Sequence, residues 1–370
     1  MKNKHEVKFI LKVFLIWNLF VFLVSLVSPL INQRPQFSYN DGPQNSNSRF
    51  LWNRANFDGI HYLEISRNNS YGLHQQAFFP LYPKLIRFLT PFFLGSDILA
   101  GVFISNISLL VFLFFFYKLI LLDFSEKVAQ RAIVLVLAFP ASFFLGTVYT
   151  ESLFLALVTS SFYLARKRNW LVAGILGALA AYTRISGIFL FPAFIWEFYQ
   201  QKKGWNFLPI LLVPLGLFSY MRFLGQRYGD PLLFVHVQPY FGAERSGGKL
   251  ILLYQVFWRY LKMILTTKWD PLYFVVWLEL LTAVGFLFLL IWSFKKKINV
   301  SYLIFAALSY ILPTLSGTFS SLPRYALTFF PCFILLGTIK NSLLSKILVG
   351  IFGTCLAVSS VLFFRGYWIS

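Results

Sequence analysis

The residues able to do acid–base chemistry gather early in the chain. Asp58, His61 and Glu64 fall within one short stretch, with Tyr62 between them. On a helix Asp58 and His61 are three apart and Asp58 and Tyr62 four apart, so each pair shares a face. A carboxylate beside an imidazole can act as a general base towards a hydroxyl group. Two structural roles compete with that reading. Asp58-Gly59 at a loop-to-helix junction is a common helix N-cap pairing, and Arg54, four residues earlier, offers an ion pair. His61, Glu64 and His74 do not follow a recognised metal-ligand spacing, and the chain has no Asp-x-Asp. His61 is therefore read as a hydrogen-bonding partner, His74 as a loop residue, and no metal or cofactor is expected.

Three further ionisable residues, Glu151, Arg184 and Arg324, interrupt sequence that is otherwise apolar. Such groups are costly near membrane depth and usually face an interior cavity. The guanidinium fork of Arg184 suits phosphate oxygens, and Glu151 could orient it or hold a hydroxyl; mutual pairing of the two is the alternative. Arg324, directly after Pro323, is a second phosphate candidate, or else an anchor that snorkels to the interface. Lys84 and Arg87 lie three apart. Lys84 joins Tyr62 as a candidate for substrate binding, against simple contact with lipid headgroups. Phe78 to Pro83 reads as a rigid aromatic-proline turn.

The rest of the chain must hold these residues, and its composition says how. Of 370 residues 58% are hydrophobic, 20% aromatic and only 12% charged. That is the composition of an all-α polytopic membrane protein, not of a soluble domain. The formal charge of +20 sits largely between the hydrophobic runs. It therefore speaks for topology and anionic headgroups, and nucleic acid is not expected as a partner. Cys332 and Cys355 lie inside apolar runs and read as packing residues.

Lys2, Lys4, Lys8 and Lys12 place the N-terminus in the cytoplasm. A first span to about Ile31 leads into an external loop, 32–95, whose part 33–48 is turn-rich and whose later part should form one or two short interfacial helices. A second span covers roughly 96–121. Residues 132–165 and 170–200 are each bounded by basic clusters, so each should leave and re-enter on the cytoplasmic side. With about 17 residues per leg, ~25 Å of helix, neither hairpin crosses a ~30 Å core with regular structure. Their turns, near 146–151 and 182–187, should be irregular and enclosed by protein or lining a wet cavity. Further spans are expected at about 206–223, 271–294, up to 316, 324–339 and 344–364. A second external loop, 225–270, carries Asp230, His236, Glu244 and Arg245 and an amphipathic segment near 250–265. The expectation is a single domain, 1–370, of about 11 transmembrane helices.

An ordered set of motifs carries a family resemblance. Trp52 and Phe57-Asp58-Gly59-Ile60-His61-Tyr62-Leu63-Glu64-Ile65-Ser66 are followed by Ala77-Phe78-Phe79-Pro80-Leu81-Tyr82-Pro83. Phe139-Pro140-Ala141-Ser142-Phe143-Phe144, Tyr149-Thr150-Glu151-Ser152-Leu153-Phe154 and Thr183-Arg184-Ile185-Ser186-Gly187 come next, and Pro323-Arg324-Tyr325 also fits. Together they resemble PIG-V-type mannosyltransferases. Phe57 departs from the pattern, which often has Trp directly before the Asp.

The resemblance implies the GT-C superfamily of membrane glycosyltransferases and a GT-C-like helical bundle. It implies an inverting transfer of a sugar, typically mannose, from a polyprenyl-phosphate carrier to an acceptor hydroxyl on the non-cytoplasmic face. It also implies an acidic base in the first external loop, the position that Asp58 matches, with His61 supporting it. Arg184 and Arg324 would then bind the carrier phosphate, with Glu151, Tyr62 and Lys84 in the substrate site. The acceptor would be a glycan, glycolipid or protein. Lysine-rich ends without an organelle signal suggest a plasma membrane. A transporter or lipid flippase with a broken-helix site is the rival from another class; the chain shows no convincing internal repeat.

Overall fold

A computed structural model describes residues 2–30, 49–201, 207–243, 245–246, 250–268 and 271–369. The turn-rich part 33–48, and Glu244 of the second loop, lie outside these residues. All regular structure among the described residues is helical. Among the described residues five helices are long and apolar enough to cross a membrane: Lys4–Val27, Asp97–Ile120, Leu208–Tyr228, Tyr273–Lys295 and Ser342–Phe364. Their 21–24 residues correspond to about 32–36 Å of helix, enough for a ~30 Å core.

The other expected spans are shorter pieces, and the count of about 11 is not reproduced by length and composition. The expected span 324–339 is instead two short helices, Leu322–Ala326 and Phe330–Gly337. Pro331 has no N–H to donate to Leu327, so the helical ladder loses a bond at this point. The break is closed by short turns, Thr328 N to Tyr325 O at 2.9 Å and Phe329 N to Ala326 O at 3.0 Å.

Both expected hairpins are interrupted. Helix Glu126–Ala138 ends where Phe139 turns extended (φ −60°, ψ 141°), the conformation that Pro140 imposes on the residue before it. A 3-10 turn, Ser142–Gly146, and an extended link lead to helix Glu151–Arg166. Every residue from 139 to 150 is buried, so this irregular backbone is walled by protein. Its polar groups are met locally: Ser142 Oγ donates to Leu137 O and Ser152 Oγ to Leu145 O, both at 2.6 Å. The second hairpin is helix Trp170–Ala181, a break whose Arg184 is extended (φ −155°, ψ 146°), a 3-10 turn Ile185–Phe189, and helix Leu190–Gln200.

The chain forms two compact units, each assembled from separated segments. The first comprises Met1–Asn69, Pro83–Ala156 and Leu336–Ile369. In it the N-terminal helix packs on helices Asp97–Ile120 and Ser342–Phe364, and Lys118 pairs with Glu6. The second comprises Ser70–Tyr82 and Leu157–Leu335. There helix Trp170–Ala181 packs closely on Leu212–Tyr228, and helix Leu190–Gln200 on Val300–Thr314. A buried polar knot supports the latter pair: Arg166 Nε lies 3.3 Å from Glu197, which accepts from Ser301 Oγ at 2.8 Å. Phe79, of the aromatic-proline turn, packs in this unit against Tyr220 and Phe234, the scaffolding role expected of that turn.

Candidate active site

In the first unit the approach to Asp58 is built from buried residues. Asn53–Ala55 form a 3-10 turn, and Arg54 is 6% exposed. Its guanidinium donates to Gly146 O at 3.3 Å and Ser25 Oγ at 3.5 Å, and its carbonyl accepts from Val148 N at 3.0 Å. Arg54 thus ties the loop to the irregular 139–150 segment, and among the described residues its hydrogen bonds go there rather than to Asp58. Burial lowers its pKa to about 10, which leaves it cationic at neutral pH.

Asp58 opens helix Asp58–Asn68, and Phe57 takes the capping position without a side-chain cap. Asp58 is therefore a first-turn residue and not the N-cap. Its half-buried carboxylate sits at the positive end of the helix dipole. Phe57 has φ 59° and ψ −118°, and Gly59 N donates to Asn56 O at 3.4 Å. That is the geometry of the first central residue of a type II′ turn, ordinarily glycine. A bulky residue held there costs on the order of 1–3 kcal/mol.

Gly59 matters for a different reason. A Cβ at this position would lie 3.2 Å from both Ala55 Cβ and Val148 O, so glycine lets the Asp58 helix approach the Val148 backbone by a few tenths of an ångström more than a larger residue would. One turn later, buried Tyr62 brings its hydroxyl to 3.5 Å from Thr150 Oγ1, and its ring packs edge-on against Tyr149 at 6.4 Å. Glu151, 1% exposed, is the next residue after Thr150 and starts its own helix. The helix carrying Asp58 and Tyr62 is thereby fastened to the segment that ends in Glu151.

His61 is partly exposed, with Nδ1 3.8 Å from Glu64 Oε2, an electrostatic contact too long for a hydrogen bond. Arg87 Nη1 donates to the carbonyls of Ser66 and Arg67 at 3.2 and 3.1 Å. It caps the C-terminal end of the Asp58 helix, where a cation also suits the dipole. Lys84 is exposed on helix Leu81–Leu89.

The second unit holds the other candidates. The Arg184 guanidinium lies 4.9 Å from the Tyr325 ring centroid and that of Arg324 5.6 Å from the same centroid, so the two expected phosphate ligands share one aromatic residue. Arg324 is 8% exposed, which argues against a snorkelling anchor. The segment 317–324 before Tyr325 is buried. Arg245 Nη2 donates to Ser321 Oγ at 2.9 Å and Arg259 Nη1 to Gly317 O at 3.1 Å.

Tyr260 Oη donates to Glu279 Oε2 at 2.5 Å and accepts from Phe319 N at 3.1 Å. Burial, with Glu279 beside it, pushes the Tyr260 phenol above its usual range, so it stays protonated. Sequence reasoning passed over Arg259, Tyr260 and Glu279. The signal was available for Glu279, the one carboxylate inside the apolar run 271–294. His74, in the left-handed region (φ 62°), stacks on Tyr240 at 3.6 Å. The structure thus groups Asp58, His61, Tyr62, Lys84 and Glu151 in one unit, and Arg184 and Arg324 in the other.

The whole-chain fold resembles the crystal structure of ArnT from Cupriavidus metallidurans bound to undecaprenyl phosphate. The TM-score is 0.55 at 12% identity, over 96% of this chain and 76% of that one, a likeness of fold. GPI mannosyltransferase 2 of Schizosaccharomyces pombe (strain 972 / ATCC 24843) is 29% identical over 273 residues, 72% of this chain. The chain spans about half of that relative, 53% of its length. The profile of the family described as Mannosyltransferase (PIG-V) matches residues 6–201, the stretch that includes Asp58, Glu151 and Arg184. More than half of the sequence fits that profile, and the chain belongs to the Mannosyltransferase (PIG-V) family.

Proposed function

We propose that the protein transfers mannose, with inversion, from a polyprenyl-phosphate carrier to an acceptor hydroxyl on the outer face of a plasma membrane, its N-terminus being cytoplasmic. One observation carries the reading: Asp58 heads a helix that Gly59 and Tyr62 fasten to the Val148–Thr150 segment, within the family-matched region. The acceptor oxygen attacks the anomeric carbon while Asp58 takes the hydroxyl proton. The bond from that carbon to the carrier phosphate breaks, and its electron pair leaves on the phosphate.

The leaving group departs as an anion, so charge stabilisation serves it better than protonation. Arg184 and Arg324 supply that charge from around Tyr325, and no metal is required for it. Glu151 and Tyr62 hold sugar hydroxyls, His61 supports Asp58, and exposed Lys84 meets the anionic carrier at the surface. The molecule bound in the ArnT structure, undecaprenyl phosphate, is of the same chemical class as the proposed carrier.

The test is transfer by purified protein in liposomes, with and without EDTA. Polyprenyl-phosphate-mannose and a nucleotide-linked mannose are compared as labelled donors. Transfer from the lipid-linked donor alone, insensitive to EDTA, supports the reading. Transfer from the nucleotide sugar, or solute uptake without transfer, overturns it.

A further inference from the structure

The turn before Asp58 does not hold itself. Phe57 is in a backbone conformation that glycine adopts without strain and phenylalanine does not. Such a residue persists only where its surroundings over-determine it. The surroundings come from the far end of the chain, which lies outside the family-matched residues 6–201.

Helix Ser342–Phe364 finishes in a two-bond turn: Gly366 N donates to Phe363 O and Tyr367 N to Leu362 O, both at 2.9 Å. Gly366 has φ 89°, the left-handed glycine of a Schellman motif. The chain reverses there, and Trp368 packs edge-on against the Phe57 ring at 5.1 Å. Phe363 packs on the same ring at 5.8 Å. Its carbonyl also accepts from Asn56 Nδ2 at 2.8 Å. The carbonyl of Asn56 is fixed in turn by Tyr149 Oη at 2.7 Å, and the Tyr149 ring packs on Phe363 at 5.9 Å. Both strained-turn residues, 56 and 57, are thus gripped by residues 363–368.

We infer that Phe363–Trp368 is a positioning clamp for Asp58, and that Trp368 and Phe57 act as one unit in setting where that carboxylate sits. The inference rests on Asp58 being the base. In the absence of the clamp the Asn56–Gly59 turn relaxes towards negative φ at residue 57. That rotates the first turn of the helix and moves the carboxylate, while Arg184 and Arg324 are untouched. The effect therefore falls on the chemical step rather than on donor binding.

The experiment compares Trp368→Ala, Trp368→Phe, Phe57→Gly and the Phe57→Gly/Trp368→Ala double variant in mannose transfer. The expected result is a 5- to 20-fold loss of kcat for Trp368→Ala with donor KM within about twofold, and recovery in Trp368→Phe, which keeps an edge-on ring. Glycine at 57 needs no clamp, so Trp368→Ala adds no further loss on the Phe57→Gly background. Equal losses on both backgrounds, or a loss confined to KM, overturn the inference.

A second readout does not depend on activity. With Asp58→Cys in place, the alkylation rate at position 58 should change at least fivefold when Trp368→Ala is added. An unchanged rate overturns the clamp even if Asp58 is the base. A changed rate, with Asp58→Asn still fully active, leaves the clamp standing and removes the base.

Discussion

Replacing Gly59 with alanine tests how closely the Asp58 helix must approach its support. The new methyl would meet Ala55 Cβ and Val148 O at 3.2 Å, a few tenths of an ångström inside ordinary contact. Val148 cannot retreat easily, because its N–H is bound to Arg54 O at 3.0 Å within a fully buried segment. Overpacking of this kind costs about 1–3 kcal/mol, offset by up to ~1 kcal/mol of better helix propensity. The net destabilisation is then ~0–3 kcal/mol, a shift of a few degrees in Tm. The larger effect is on geometry. A 1 Å misplacement can cost about 100-fold in rate, so a shift of a few tenths of an ångström costs about 3- to 5-fold in kcat.

The assay is steady-state mannose transfer beside thermal unfolding in detergent. Gly353→Ala serves as the control, since an added Cβ there meets nothing within 4 Å. Wild-type kcat in Gly59→Ala, or the same loss in Gly353→Ala, would refute the close-approach argument.

Other consequences follow from the second unit. Tyr260→Phe removes the donor to Glu279 and the acceptor of Phe319 N. It should destabilise the protein by ~2–4 kcal/mol, read as a lowered Tm, and a Tm within a degree of wild type would contradict the network. Arg184→Gln and Arg324→Gln each remove a charged contact of ~1.5–3 kcal/mol. Each should raise donor KM or lower kcat by about 10- to 100-fold, whereas unchanged kinetics in both would exclude them as phosphate ligands.

Acid stability offers a further check. The hydrogen bond between His236 Nδ1 and Asp230 Oδ2, 2.6 Å, holds the Asp230 carboxyl below its ordinary value of 3.8. The folded pKa is depressed, so the stabilisation is present above pH 3.8 and is lost as pH falls through the folded value. Asp230→Asn should flatten that part of the Tm–pH curve, and a curve identical to wild type below pH ~4 would contradict the pairing.

The sequence made some features readable for identifiable reasons. The interrupted hairpins followed from arithmetic: too few residues between basic clusters for two crossings. The first break, which starts at Phe139-Pro140, runs up to the expected turn near 146–151, and the second, at Tyr182–Arg184, falls on its expected turn. Asp58 was legible because few carboxylates occur in so apolar a chain. Its exact helical position was not, since a positive φ at Phe57 has no sequence signal; glycine would have announced it. Gly59 looked like half of a capping pair, yet its cause is Val148, 89 residues away. Arg54 and Arg87 looked available for ion pairs or lipid, but both serve backbone carbonyls in the fold. The expected single span at 324–339 is broken into two short helices, because hydropathy reports apolar length and not continuity; Pro331 was the available warning. Glu279 was passed over because its partner, Tyr260, lies on a separate amphipathic helix.

The central claim is that Asp58 takes the proton of the acceptor hydroxyl. Its most direct test is single-turnover transfer from labelled polyprenyl-phosphate-mannose by wild-type, Asp58→Asn and Asp58→Glu protein in the same liposomes, with donor binding measured separately. The account predicts a loss of 100-fold or more in Asp58→Asn, at the lower end of what a general base contributes. It also predicts partial activity in Asp58→Glu and donor affinity within about twofold of wild type in both. Transfer by Asp58→Asn at the wild-type rate would contradict it.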